Sequence, residues 1–293
     1  MNILVSGATG FTGRHFMDMA RDAGHSVHAL ESDLLHPDAL QHEIAKVQPD
    51  CVAHLAAISF VGHADTDAFY RVNVQGTLNL LDALAPLGPS KLQRVLLASS
   101  ANVYGNCTDS PIREAQCPAP VNHYAASKLA MEHLARTRLE ELPLFFTRPF
   151  NYTGRGQSPS FVIPKLVQHF AARKPMIELG NLAVEREFND VRFVCSAYLQ
   201  LLSLATPGET YNICTGRTYT LQQVINMLTD LTGHELQVQV NPAFVRTSEI
   251  ERLCGDPAKL LSCAGAALDF NLEDTLGWML KNPALLNGIS ARV

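Results

Sequence analysis

The sequence predicts an α/β protein: a Rossmann-type, doubly wound parallel sheet with a smaller C-terminal substrate-binding lobe. Three observations predict it. An apolar strand at the N-terminus runs straight into a glycine turn and then into a helical pattern; short apolar runs alternate with helical stretches as far as residue 150; and beyond that point the rhythm breaks. Strands that alternate with helices argue for a parallel sheet covered on both faces.

The elements follow in order. Asn2-Ile-Leu-Val-Ser6 reads as the first strand, Gly7 to Gly13 as a turn, and residues 13–23 as a helix with Gly24 as its C-terminal cap. Further strands are expected at 26–30, 51–54, 95–99, 144–147 and 210–214. After Pro149 the segment 151–159 is rich in Gly, Pro, Ser and Asn. The division this suggests is a nucleotide-binding domain over 1–150 and a mainly substrate-binding lobe over 151–293, with the strand at 210–214 returning to the main sheet.

Bulk properties narrow the function. The 293 residues are 47% hydrophobic, enough for a well-buried core, and the formal charge of −5 leaves no basic footprint for nucleic acid or an anionic membrane. The first residues lack the pattern of a signal peptide, and no apolar run is long enough to span a bilayer, so a cytoplasmic protein is expected. Seven scattered cysteines without a CxxC pair read as reduced thiols rather than as metal ligands.

Gly7-Ala-Thr9-Gly10-Phe11-Thr12-Gly13 places glycines three apart between a strand and a helix. That pattern suits a dinucleotide: a tight turn, close approach of backbone to the pyrophosphate, close packing of helix on strand, and a helix N-terminus that favours an anion. Glu31, past the second strand, could bond the adenosine ribose and repel a 2′-phosphate, and no Arg or Lys lies between Arg21 and Lys46, which leans towards NAD over NADP. Alternatively, Glu31-Ser-Asp33-Leu34 is already the next strand, with Asp33 and Leu34 at the adenine edge and Glu31 at the surface.

Tyr124-Ala-Ala-Ser-Lys128 sets a phenol and an amine on one helix face, where the ammonium would lower the phenol pKa towards working pH. Ser99-Ser100-Ala-Asn102-Val-Tyr104-Gly105 ends an apolar strand, the place where open parallel sheets bind ligands. With His54-Leu55-Ala56-Ala57, Val72-Asn73…Gly76-Thr and Arg148-Pro-Phe-Asn151, these motifs cover most of residues 1–151. Together they resemble the extended short-chain dehydrogenase/reductases, a family of nucleotide-sugar epimerases, dehydratases and reductases.

The resemblance implies roles. Ser100 would bond the sugar oxygen, Tyr124 would exchange the proton, and Lys128 would hold the nicotinamide ribose and tune Tyr124. Leu55, Ala56, Ala57 and Asn73 would line the cofactor cleft. Segments around Val162 and Lys165, around Arg186, and from Val245 to Lys259 look like those of GDP-mannose 4,6-dehydratases and GDP-4-keto-6-deoxymannose reductases. On that resemblance Arg186 and Arg246 would bind a diphosphate, Glu249 a ribose hydroxyl, and Asn151 would contact substrate. Bidentate guanidinium groups suit a diphosphate.

In the family a carboxylate two residues after the active-site Ser removes the C5 proton in dehydration; Asn102 stands there, and an amide cannot do that work. The expectation is therefore NAD(P)H-dependent reduction of a 4-keto sugar, with GDP-4-dehydro-6-deoxy-D-mannose giving GDP-D-rhamnose or its C4 epimer. A 4-epimerase with bound NAD is the alternative, and a non-catalytic dinucleotide sensor a more remote one. Relatives of this type dimerise through two helices, here 74–84 and 125–138, so a homodimer is expected. Arg192 and His123 depart from the family pattern and read as substrate tuning, His123 alternatively as an ordinary half-buried histidine; His63, in the loop after Ser59-Phe-Val61, either faces the sugar or is merely exposed.

Overall fold

The structure, a computed structural model, describes residues 1–59, 65–244, 250–265 and 270–281. Its centre is a six-stranded, wholly parallel sheet. In chain order the strands are β1 (Asn2–Ser6), β2 (Ser26–Ala29), β3 (Cys51–His54), β4 (Arg94–Ala98), β5 (Leu144–Pro149) and β6 (Thr210–Ile213). They lie side by side as β6-β5-β4-β3-β1-β2. β6, although distant in sequence, pairs Thr210 with Phe146 and completes one edge.

Alternate residues of each strand feed opposite cores. Ile3, Val5, Leu96 and Phe145 face a core built with α1 (Phe11–Asp22) and α5 (Val191–Leu204). Leu4, Val52, Leu97 and Phe146 face one built with α2 (Pro37–Val47), α3 (Thr77–Leu84) and α4 (His123–Arg136). Burial on both faces explains why these strands read as continuous apolar runs rather than as alternating ones.

α1 begins two residues before the sequence suggests, with Gly10 as its N-cap. Gly24, at φ +82, donates its N–H to the Arg21 carbonyl and ends the helix. The lobe is a third core of three helices, Val162–Ala171, Leu221–Thr232 and Leu272–Leu280, beside a parallel pair of strands, Met176–Leu179 and Gln237–Val240. α5 lies between lobe segments in sequence yet packs on the sheet, so the chain crosses between the two layers more than once. No helix among the described residues is long and apolar enough to cross a membrane.

Candidate active site

A cavity of about 1130 Å³ opens beyond the carboxyl ends of β1, β3, β4 and β5 and is roofed by the lobe. β1 is flanked by β2 on one side and β3 on the other, so the chain reverses direction across the sheet here, where such folds bind ligands.

Gly7, Thr9, Gly10, Phe11, Thr12 and Gly13 line one end of the cavity. Their glycines are required by space. A Cβ at Gly13 would sit 2.0 Å from the Gly7 carbonyl oxygen, and one at Gly7, whose φ is +69, would lie 2.7 Å from the Ala56 backbone. The first-turn amides of α1 have no intrahelical acceptor, so the turn presents bare backbone donors and a positive dipole end to the cavity. Opposite them Ser99 is buried, lines the cavity and has no hydrogen-bond partner for its hydroxyl. A glycine cradle, free helix amides and an unpartnered hydroxyl fit a pyrophosphate-linked dinucleotide.

The loop after β3 is held by a buried chain of hydrogen bonds. Ala56 N–H donates to Ser6 Oγ at 3.3 Å, and Ser6 Oγ meets His54 Nδ1 at 2.6 Å. On the far side of the ring, His54 Nε2 meets Thr77 Oγ1 at 2.8 Å, and Thr77 donates to the Asn73 carbonyl. Because Thr77 spends its proton on Asn73, the Nε2 tautomer of a neutral His54 satisfies every member. Burial, and then the charge of Lys128, hold the His54 pKa down to about 3.

At the other end Ser100, Asn102, Tyr124 and Lys128 converge on the cavity wall. Asn122 caps α4 by accepting from Ala125 N–H at 2.9 Å, which fixes the helix that carries Tyr124 and Lys128. Lys128 Nζ donates to the Ala98 carbonyl at 2.7 Å, and burial lowers its pKa to about 8 against the opposing charge of Glu132. The Tyr124 phenol departs from the sequence expectation: burial holds it above its ordinary value, and hydrogen bonding to Ser100 pulls the other way. Burial disfavours the charged phenolate, which is why the shift runs upward. Ser100 Oγ accepts from the Asn102 backbone N–H at 3.2 Å and from its side-chain amide at 3.3 Å, which leaves the serine proton to be donated elsewhere.

From the lobe side Val162, Lys165 and Arg186 line the same cavity, as does Asn151 just past β5. Lys165 Nζ donates to the Glu178 carbonyl at 3.0 Å and lies 5.3 Å from the Phe244 ring centroid. Arg186 donates to the carbonyls of Glu185, Ile250 and Glu251. Arg246, Glu249 and His63 lie outside the described residues.

Several named residues do not line the cavity. Glu31 and Asp33 are exposed, and Asp33 Oδ1 accepts from Leu35 N–H. Leu34 is buried in the core beside Leu40 and meets Gly76. Ala56 packs on Gly7, and the Asn73 side chain is spent on Ile58 and on Ser127 Oγ. His123 is exposed and bonded to Tyr70, while Arg192 pairs with Asp190 at 2.6 Å between the Phe270 and Trp278 rings. Both of these departures from the family pattern are engaged in packing.

Among the lining residues not singled out from sequence are two aromatic ones with contacts across the cavity wall, Tyr152 and Phe244. Tyr152 bonds Thr12 Oγ1 at 2.7 Å, and Phe244 reaches in from the lobe. Tyr152 lies one residue past Asn151 in the post-strand motif, a signal that could have found it; nothing local marks Phe244. Among the described residues no cluster of three or more His, Cys, Asp or Glu could hold a metal.

The family model described as the NAD dependent epimerase/dehydratase family matches residues 3–214. The chain belongs to that family. It is 37% identical over 292 residues to GDP-6-deoxy-D-talose 4-dehydrogenase of Aggregatibacter actinomycetemcomitans, covering 97% of this chain and 99% of the relative. It is 36% identical over 296 residues to GDP-6-deoxy-D-mannose reductase of Pseudomonas aeruginosa, covering 96% of each. Among solved structures, RMD from Pseudomonas aeruginosa complexed with NADPH superposes with a TM-score of 0.87 at 34% identity, covering 96% of this chain and 97% of that one. The Rossmann-type sheet and the epimerase/dehydratase membership expected from sequence are thus both observed.

Proposed function

We propose that this family member is an NAD(P)H-dependent reductase of the 4-keto group of a GDP-activated 6-deoxyhexose, with GDP-4-dehydro-6-deoxy-D-mannose as substrate. One observation carries the reaction: the site joins Ser100, Tyr124 and Lys128 to an amide, Asn102, where dehydration would need a carboxylate. Among the described lining residues the carboxylate is Glu178, which sits on the lobe strand and accepts from Asn241. Two relatives covering nearly the whole chain are named for GDP-6-deoxyhexoses, which supports the substrate class.

The bound dinucleotide would supply the hydride that reduces C4. The chain does the rest. The glycine turn and the α1 N-terminus hold the pyrophosphate; Ser100, its lone pairs taken by Asn102, donates to the keto oxygen. Tyr124, kept protonated by burial, gives its proton to that oxygen as the alkoxide forms, and the Lys128 ammonium stabilises the phenolate left behind. Among the described residues, Lys165 and Arg186 are lobe cations on the cavity wall, and their positive charge favours a diphosphate there. The reading includes a cytoplasmic homodimer that assembles through α3 and α4.

The test is an assay with enzymatically generated GDP-4-dehydro-6-deoxymannose, following oxidation of NADH and of NADPH. One equivalent oxidised per keto sugar is expected, and Tyr124→Phe should lower kcat by about 100-fold or more while dinucleotide affinity stays within about twofold. No oxidation with either dinucleotide would overturn the reductase reading. Cofactor that copurifies and is never consumed would establish the 4-epimerase instead.

A further inference from the structure

Solved relatives hold either NADPH or NAD, so family membership leaves open which dinucleotide this chain takes. The loop that follows β2 bears on that choice. The last ladder bond of β2 is Leu30 N–H to the Val5 carbonyl, after which the chain turns at the carboxyl end of the sheet beside the glycine turn. In this fold the adenosine ribose lies there, and a 2′-phosphate needs free amides or cations to receive it.

Both candidate amides are already taken. Glu43, from the middle of α2, accepts the Glu31 N–H on Oε1 at 2.9 Å and the Ser32 N–H on Oε2 at 2.8 Å. Further along the loop, Leu35 N–H bonds Asp33 Oδ1, and the Leu34 carbonyl accepts from Asn79 Nδ2, both at 2.8 Å. The carboxylates of Glu31 and Asp33 are exposed on the same loop. No Arg or Lys occurs between Arg21 and Lys46. Arg14 is turned to the Thr9 and Gly156 carbonyls instead.

We propose that Glu43 is a specificity-determining residue: by occupying the two amides after β2 with a carboxylate, it makes the chain prefer a dinucleotide with a free 2′-hydroxyl, NAD(H), over its 2′-phosphorylated counterpart. The inference rests on the dinucleotide reading of the cavity. Glu43 acts through the backbone and through charge, and its contribution is repulsion of the phosphate dianion together with removal of that anion's donors.

Direct binding tests this. NADH and NADPH are titrated, by nicotinamide fluorescence, into the wild type, Glu43→Gln and Glu31→Gln at low and high salt. The wild type should bind NADH at least about tenfold more tightly than NADPH, and the gap should shrink as salt screens the repulsion. Glu43→Gln should narrow the gap at least about fivefold by tightening NADPH, with NADH within about twofold; Glu31→Gln should have the smaller effect. A wild type that binds NADPH equally well or better, or a gap independent of salt, overturns the proposal, and so does a Glu43→Gln variant that weakens or strengthens both ligands by the same factor. Binding of both dinucleotides without preference sinks this inference alone; binding of neither sinks the dinucleotide reading with it.

Discussion

Lys128 is 3% exposed, and burial holds its pKa near 8 rather than near the usual lysine value. The ammonium form helps proton transfer from Tyr124 by stabilising the phenolate, so the active state needs Lys128 charged and Tyr124 protonated. A lowered lysine pKa means that the charge is complete below about 8 and is lost as pH rises through that value. Tyr124 is pushed the other way and stays protonated over the same range. The alkaline limb of the profile therefore belongs to the lysine. The kcat/KM for keto-sugar reduction should fall above about pH 8 with a slope of one proton, and Lys128→Met should leave a residual rate with no such limb. Rates measured from about pH 6 to about pH 10 decide it; a wild-type limb that first appears above about 10 would assign it to the phenol instead. The Tyr–Lys spacing was enough to find this pair. The direction of the phenol shift was not legible, because it depends on burial by Phe69 and by the lobe side of the cavity, which no local pattern encodes.

Between elements, the same helix is anchored by a buried charge pair whose Glu132 also favours the Lys128 ammonium. Glu132 continues the Tyr124 and Lys128 face one turn further and takes two hydrogen bonds from Arg148 of β5, at 2.9 and 2.7 Å, with both side chains almost wholly buried. Arg148 also lies 4.8 Å from the Tyr104 ring centroid, and Tyr104 donates to Asn212 of β6 at 2.7 Å. α4, β5 and β6 are thus tied beneath the active site. Removing one partner leaves a buried charge uncompensated, so Glu132→Ala should cost about 3–5 kcal/mol in urea unfolding, whereas Glu132→Leu combined with Arg148→Met should recover most of that. A single variant within about 0.5 kcal/mol of wild type would show the pair to be solvated. Glu132 was findable from its four-residue step beyond Lys128; its pairing with Arg148 was not, since it joins elements 16 residues apart through the third dimension. The six strands of the main sheet were legible almost to the residue, because burial on both faces makes the inner ones short apolar runs; the lobe pair Met176–Leu179 and Gln237–Val240 was not, since its exposed residues break the apolar pattern. The return of α5 to the sheet was not, because an apolar helix looks the same whether it packs on a sheet or in a lobe.

At the scale of the whole molecule, α3 and α4 pack side by side on one face of the sheet, the α4 residue Leu134 is 43% exposed, and Tyr70, in the short helix before α3, is 38% exposed. Around them the surface is closed by side-chain pairs rather than by free charges: Tyr70 with His123, and Arg138 with both Asp82 and Glu141. A face with neutralised charges and protruding apolar side chains can meet its own copy about a twofold axis, since a symmetric contact needs only self-complementarity. Dimerisation here would brace α4 from outside while the Arg148 pair braces it from within, so that Tyr124 and Lys128 ride on a helix held on two sides. Sedimentation equilibrium should give twice the chain mass. Leu134→Glu should shift it to the mass of one chain while dinucleotide affinity, assigned to the glycine turn at the carboxyl end of the sheet, stays within about twofold. A wild type that sediments as a single chain at micromolar concentration would rule out the dimer and leave Leu134 as an isolated apolar surface residue.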